Sequence, residues 1–337
     1  MSRFFLLLLC LISFIFAASV SSAETASAEK PSTEKREKAA EAILVEVGGV
    51  LLPRGTLVIE PSIQYSHLSR HRISISGFTI YDVIIIGELG VSDLKRDIIQ
   101  GALTARYGIT SRLEAELKVP WIYRSDRETF AAGTTDAFER TVKDQDLGDI
   151  EGAIYYHLIK EKGYIPDIIL NVRAKSTTGR SPYHLDTEVI QGRTVLRELP
   201  TGNGHWGFSG GFTAVKTSDP VVFFGGINYF WNVKRDISQG VGKVDPGDSI
   251  QASVGIAYAL SEKFSLSTQY QHTITTKTKQ SGEKVPGSFL NAGTLFLGGS
   301  YAVSKKTYIN LSVGIGLTLD APDVQVILSV PFSFNLF

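Results

Sequence analysis

Charged residues recur two apart along short stretches of this chain: Arg106; then Glu114, Glu116 and Lys118; then Asp149 and Glu151; then Arg173 and Lys175. A spacing of two puts successive side chains on one face of a β-strand. Both signs share that face, so two chemistries are open. Acids and bases can pair across neighbouring strands and fill a polar interior, because unpaired charge in a narrow space is costly. Alternatively, such a ring binds or filters a polar solute. Pairing is the favoured reading, yet these eight residues remain the best candidates for a constriction that touches solute. Glu60, Arg112 and His157 are expected on the same wall. The later half of the chain presents Gln251, Ser253, Gln269, Gln271, Asn310 and Ser312 instead. One wall should therefore be charged and the other neutral.

Other chemistry is sparse. The only cysteine, Cys10, lies in an N-terminal segment expected to be removed. A mature chain without thiols excludes disulfides, cysteine zinc sites, iron–sulfur clusters and cysteine nucleophiles. His67, His71, His184 and His205 fall in or near long connections, at spacings that match no helical zinc motif. No metal, cofactor or catalytic residue is expected. His272 faces outward beside Tyr270 and Thr268, without the base–nucleophile string that hydrolysis needs. Asp126, Glu128, Asp136, Glu139, Asp144 and Asp146 make the stretch 125–147 acidic, as a solvated loop would be. The balance of 34 basic and 34 acidic side chains gives no reason to propose a nucleic-acid partner.

The elements that position these residues are strands. In 306–319 the odd positions are Thr307, Ile309, Leu311, Val313, Ile315, Leu317 and Leu319, whereas the even ones are small or polar apart from Tyr308. Residues 249–260 and 112–124 alternate in the same way. Such strands meet a different solvent on each side. Further strands are expected at 56–66, 98–108, 148–159, 166–175, 205–215, 221–233, 263–275, 289–302 and 324–336. Short turns alternate with long connections at 125–147, 176–204, 234–248 and 276–288, the pattern of a bacterial outer-membrane barrel. With 67–97 as one hairpin above the membrane, the total is twelve strands; counting 72–88 differently gives ten or fourteen. The expected fold class is an all-β, transmembrane, antiparallel β-barrel of the outer membrane.

Outward rows support that reading. Leu57, Ile59, Pro61, Ile63 and Tyr65 form one, and Val221, Phe223, Gly225, Ile227, Tyr229, Trp231 and Val233 another. None holds Asp, Glu, Lys or Arg, and an Arg or Lys facing lipid near the midplane would cost ~2–4 kcal/mol. His272 is the one ionisable residue in the outward rows. The strand directions place Trp121, Trp206 and Trp231 at the extracellular rim and Tyr107, Tyr258 and Tyr301 at the periplasmic rim, the two interfaces amphipathic rings favour. At the C-terminus, Leu328, Val330, Phe332, Phe334 and Leu336 form the apolar row and Phe337 falls out of phase.

Residues 1–23 have a basic start at Arg3, an apolar run from Phe4 to Ala18 and small residues Ser21 and Ala23 before a cut, the layout of a secretory signal peptide. Residues 24–54 read as a polar periplasmic segment, and residues 55–337 as the barrel. A barrel of this class is expected among outer-membrane lipids and lipopolysaccharide, inserted by the barrel-assembly machinery.

The run Ala105-Arg106-Tyr107-Gly108-Ile109-Thr110-Ser111-Arg112-Leu113-Glu114, followed by Lys118-Val119-Pro120-Trp121, resembles the "meta-pathway of phenol degradation" family of proteobacterial outer-membrane proteins. Asp146-Leu147-Gly148-Asp149-Ile150 and Lys175-Ser176-Thr177-Thr178-Gly179-Arg180 look like its next landmarks. The resemblance implies an outer-membrane transporter passing small molecules, hydrophobic or aromatic ones among them, and supplies no catalytic residue. The alternatives are a closed structural or adhesive barrel acting through its loops and, further off, a lipid-modifying enzyme.

Overall fold

The computed structural model describes residues 50–71, 91–130, 138–183, 185–190, 193–237, 241–304 and 306–336. The signal segment, most of the polar segment, the strand-like runs at 72–88, His184 and Phe337 lie outside the described residues.

Period-two alternation builds one antiparallel sheet. Its strands are β1 Thr56–His71, β2 Val91–Thr110, β3 Leu113–Phe130, β4 Phe138–Leu147 continued by Glu151–Ile159, β5 Asp167–Lys175 and β6 Gly207–Ser218. Then come β7 Val221–Asn232, β8 Ser249–Ala259, β9 Phe264–Thr275, β10 Leu290–Ser304, β11 Thr307–Gly316 and β12 Val324–Ser329 continued by Phe332–Asn335. The sheet has fourteen hydrogen-bonded segments; two pairs of them are halves of one crossing, so twelve strands result. β12 pairs with β1, Leu328 opposite Ile63 and Phe332 opposite Ile59, and the barrel is closed. Closure leaves no sheet edge for lipid to meet.

Faces sort as the alternation requires. Ile63, Leu103, Leu117, Phe223, Ile227, Ile250 and Val254 are exposed on the outside, an apolar surface that suits hydrocarbon. The row ends where charge begins. Asp97 lies opposite His67 on the outer face, takes a 2.7 Å hydrogen bond from the Tyr65 hydroxyl and sits 2.8 Å from His67 Nδ1.

Three features depart from the sequence-based expectations. The stretch 125–147 is not a solvated loop: β3 runs to Phe130 and pairs with Phe138–Leu147, a hairpin rising beyond the apolar band. Its residues alternate polar with polar, so no apolar face announces a strand. Second, β4 breaks at 148–150. Two residues of β3, Val119 and Pro120, stand against three of β4, a bulge. Pro120 offers a carbonyl, to Gly148 N at 2.9 Å, but has no N–H to continue the ladder on that side. Third, the connections 234–248 and 276–288 carry a four-stranded ribbon, made of Arg235–Ile237, Gly242–Asp245, Lys279–Gln280 and Glu283–Lys284.

The short connection before β1 also has structure. Val50 packs against Val215, Val222, Phe224 and Ala257 on β6–β8, while Leu52 N donates to Glu114 Oε2 on β3 at 2.7 Å. Residues 50–53 therefore cross the short-turn mouth of the barrel from one wall to the other.

Candidate functional site

Inward positions of β2–β5 bring five of the eight charged candidates, Arg106, Glu114, Glu116, Glu151 and Arg173, into one network of ion pairs, with Lys175 and Asp149 a further pair beside it. Arg106 Nε meets Glu114 Oε1 at 2.7 Å, and both side chains are buried. Glu116 receives Arg173 Nη2 at 2.9 Å and the Tyr155 hydroxyl at 3.1 Å. Arg173 Nη1 binds Glu151 Oε2 at 2.6 Å, and its Nη2 also donates to the Tyr155 oxygen at 2.9 Å. The Arg106 guanidinium carbon lies 6.0 Å from the Tyr155 ring centroid, so cation and ring face each other. Lys175 Nζ stands 3.9 Å from Asp149 Oδ2. Lys118, across the sheet from Glu151, lines the central cavity.

The bulge gives Asp149 a different task from its neighbours. Oδ1 accepts Gly179 N at 3.0 Å and Oδ2 accepts Asn203 N at 3.1 Å. These bonds fold the β5–β6 connection, residues 176–206, back against the inner wall. Asp144 adds to the anchor by accepting Leu199 N at 3.0 Å and pairing with Arg180. Thr201 Oγ1 donates to the Leu147 carbonyl at 2.8 Å. Leu199, Thr201, Asn203 and His205 are consequently buried.

Above this loop lies a cluster that periodicity did not reveal. Asp126 is fully buried between two arginines. Arg96 Nε lies 3.1 Å from each of its oxygens and Nη2 3.0 Å from Oδ2; Arg124 contributes Nε at 2.9 Å and Nη2 at 2.6 Å. Arg124 Nη1 also reaches the Pro200 carbonyl at 3.4 Å. The acid expected in a solvated loop is thus the counter-ion of a buried triad.

His205 holds the loop's far end. Its Nδ1 is 2.8 Å from the Val233 carbonyl and its Nε2 accepts the Tyr183 hydroxyl. Burial pushes its pKa below the ordinary histidine value, with nearby Arg235 and Lys175 acting in the same sense. The ring is therefore neutral, with the proton on Nδ1.

Between these layers lies a cavity of about 410 Å³. Its charged side is Lys118, Glu151, Arg173 and Lys175; its neutral side includes Asn228, Gln251, Gln269 and Gln271. The two-sided lumen expected from the sequence is what the strands enclose. Arg106 and Glu114 stand behind it, sealed in their own pair.

The rim aromatics face outward. Trp121, Trp206 and Trp231 are half exposed, and Phe208 stacks on Trp231 with centroids 5.8 Å apart. Trp206 and Trp231 adjoin the long-connection ends of β6 and β7. Tyr107, Tyr258 and Tyr301 adjoin the short turns. His272 Nδ1 takes the Tyr270 hydroxyl at 2.7 Å. No group of three or more His, Cys, Asp or Glu that could hold a metal occurs among the described residues.

An apolar exterior, a closed twelve-strand sheet and a polar interior define an outer-membrane β-barrel. The family model described as "Putative MetA-pathway of phenol degradation" matches residues 192–334. The matched stretch lies C-terminal to the motifs at 105–180 that carry the resemblance. Among solved structures the chain is similar to an outer-membrane channel from Pseudomonas putida F1: 16% identity, 85% of this chain and 97% of that one covered, TM-score 0.57. That likeness shows the fold. It is also similar to the translocator domain of the autotransporter NalP from Neisseria meningitidis, with 11% identity, 88% and 98% coverage and a TM-score of 0.49. The toluene transporter TodX from P. putida follows at 11% identity, 84% and 91% coverage and a TM-score of 0.43.

Proposed function

We propose that this protein is an outer-membrane channel through which small molecules, hydrophobic or aromatic compounds among them, move passively down their gradients. The observation that carries this reading is the cavity of about 410 Å³ inside a closed barrel with an apolar exterior. A structural barrel can fill its interior with side chains; this one keeps a space of small-molecule size. The Pseudomonas putida F1 protein that shares the fold is itself an outer-membrane channel.

In this reading Lys118, Glu151, Arg173 and Lys175 contact solute, Arg106, Glu114 and Glu116 fix the wall behind them, and Asp149 pins the inner loop. Trp121, Trp206 and Trp231 sit at the outer interface, among lipid and lipopolysaccharide, and Tyr107, Tyr258 and Tyr301 at the inner one. Residues 1–23 direct export, residues 24–54 lead into the periplasmic mouth, and the assembly machinery inserts the barrel. We read the chain as a non-enzyme, since His272 hydrogen-bonds a tyrosine and no nucleophile is placed against it.

A second reading is favoured by the inward-folded 176–206 loop and the segment 50–53: a closed barrel acting through its outer ribbon. Liposome swelling separates the two. Vesicles holding the folded protein should swell faster in a small aromatic solute than in an isosmotic disaccharide, whereas no swelling beyond empty vesicles would favour the closed barrel.

A further inference from the structure

We propose, resting on the channel reading, that the central cavity selects small molecules bearing an oxyanion, a carboxylate on a flat aromatic body being the best fit.

Charge at the cavity surface is asymmetric. Among the described residues lining it, three are cationic, Lys118, Arg173 and Lys175, and one is acidic, Glu151. The other acids of the wall are withdrawn. Glu114 is fully buried against Arg106 and Leu52 N. Both Asp149 oxygens accept backbone N–H groups. Glu116 is held by Arg173 and Tyr155. Glu151 is neutralised at 2.6 Å by Arg173.

Lys175 is the group these pairings leave nearest to a ligand. Its closest ion-pair partner, Asp149, is 3.9 Å from Nζ, beyond hydrogen-bonding distance. Gly207 lies opposite Lys175 on β6; a Cβ there would stand 3.3 Å from Lys175 Cε, so the glycine leaves room for the lysine stem. Arg173, one strand-face step away, has its fork engaged by Glu151, Glu116 and Tyr155 and brings a second positive charge to the cavity surface.

The facing wall contributes no charge. Asn228, Gln251 and Gln271 offer amide donors, and Phe230 and Phe296 offer ring faces. Neutral donors and aromatic faces opposite two cations suit a flat apolar body with one negative end. A cationic guest would meet Lys175 and find a single paired acid. Cationic linings select anions in channels generally.

The test uses benzoate, benzyl alcohol and benzylamine on the full mature protein. In planar bilayers, benzoate should reduce the current at concentrations where the alcohol and the amine do not. Lys175→Gln should raise the half-blocking benzoate concentration about tenfold, the loss of one charge-assisted hydrogen bond. Gln271→Glu, which sets an acid on the neutral wall, should weaken benzoate block likewise and serves if Lys175→Gln fails to fold by heat-shift gel. Equal block by all three probes, or benzoate block unchanged in both variants, overturns the proposal. Equilibrium dialysis of benzoate against the detergent-folded barrel separates the two claims. Lys175-dependent binding by a barrel that conducts nothing keeps the oxyanion site and removes the channel reading. A conducting barrel indifferent to benzoate removes the site and leaves the channel.

Discussion

Replacing Asp126 by Asn removes the carboxylate that bonds both Arg96 and Arg124. All three side chains are almost completely buried, and two guanidinium groups bond the one acid at 2.6–3.1 Å. The amide keeps the shape and loses the charge. Both guanidinium groups then lose their bonded carboxylate, and breaking a buried pair in this way costs about 3–5 kcal/mol. The same hairpin supplies the control. Arg127 and Glu139 pair at 3.1 Å with side chains 54% and 57% exposed, so Glu139→Gln should cost no more than about 1 kcal/mol. Reversible urea unfolding in detergent, followed by tryptophan fluorescence, reads both numbers. Asp126→Asn should also speed protease cleavage within 176–206, because Arg124 holds the Pro200 carbonyl. Equal destabilisation by the two variants, or a silent Asp126→Asn, would refute the reasoning that this hairpin buries a charged core.

Leu311 pairs with Leu328 on the outer face of β11, and the next residue, Ser312, faces the lumen. Leu311→Arg should lower stability by ~2–4 kcal/mol and impair assembly, and Ser312→Arg should do so far less; equal yields of heat-modifiable barrel would show that the faces are misassigned. A Cβ on Gly108 would collide with the carbonyls of Leu52 and Pro53, so Gly108→Ala should displace the 50–53 segment and raise conductance; an unchanged current would mean that this segment does not limit passage. His205 is neutral in the fold, its pKa lowered by burial, so its contribution to loop stability is full above about pH 6.5 and is lost as pH falls through the folded value. Protease sensitivity of 176–206 should therefore rise as pH is taken progressively below about 6.5 and be flat across that range in His205→Gln.

The barrel was legible in the sequence because its walls meet two solvents. Alternation from Thr307 to Gly316 assigns every side chain to lipid or lumen, and the paired registers agree. Where both faces are polar the signal disappears. Ser125-Asp126-Arg127-Glu128 reads as a polar loop although it is a strand. Long-range bonds leave no local mark either: Asp126 owes its burial to Arg96, and Asp149 its anchoring role to Gly179 and Asn203. Pro120 was a visible signal that β4 must lose a ladder bond, but it lay inside a motif that otherwise reads as uninterrupted strand. Residues 50–53 read as the end of the polar segment 24–54 because Gly48-Gly49 and Pro53 bound a stretch too short to show a period. The charged wall was visible residue by residue, and its division into sealed pairs and cavity-facing cations was not.

Single-channel recording of the purified mature protein in a planar bilayer, after a heat-shift gel confirms a folded barrel, tests the central claim most directly. Stable conductance steps, with ion selectivity altered by Glu151→Gln or Lys175→Gln, are the predicted result. A folded barrel that gives no steps would contradict it, and would mean that the paired wall, the 176–206 loop and the 50–53 segment together close the lumen.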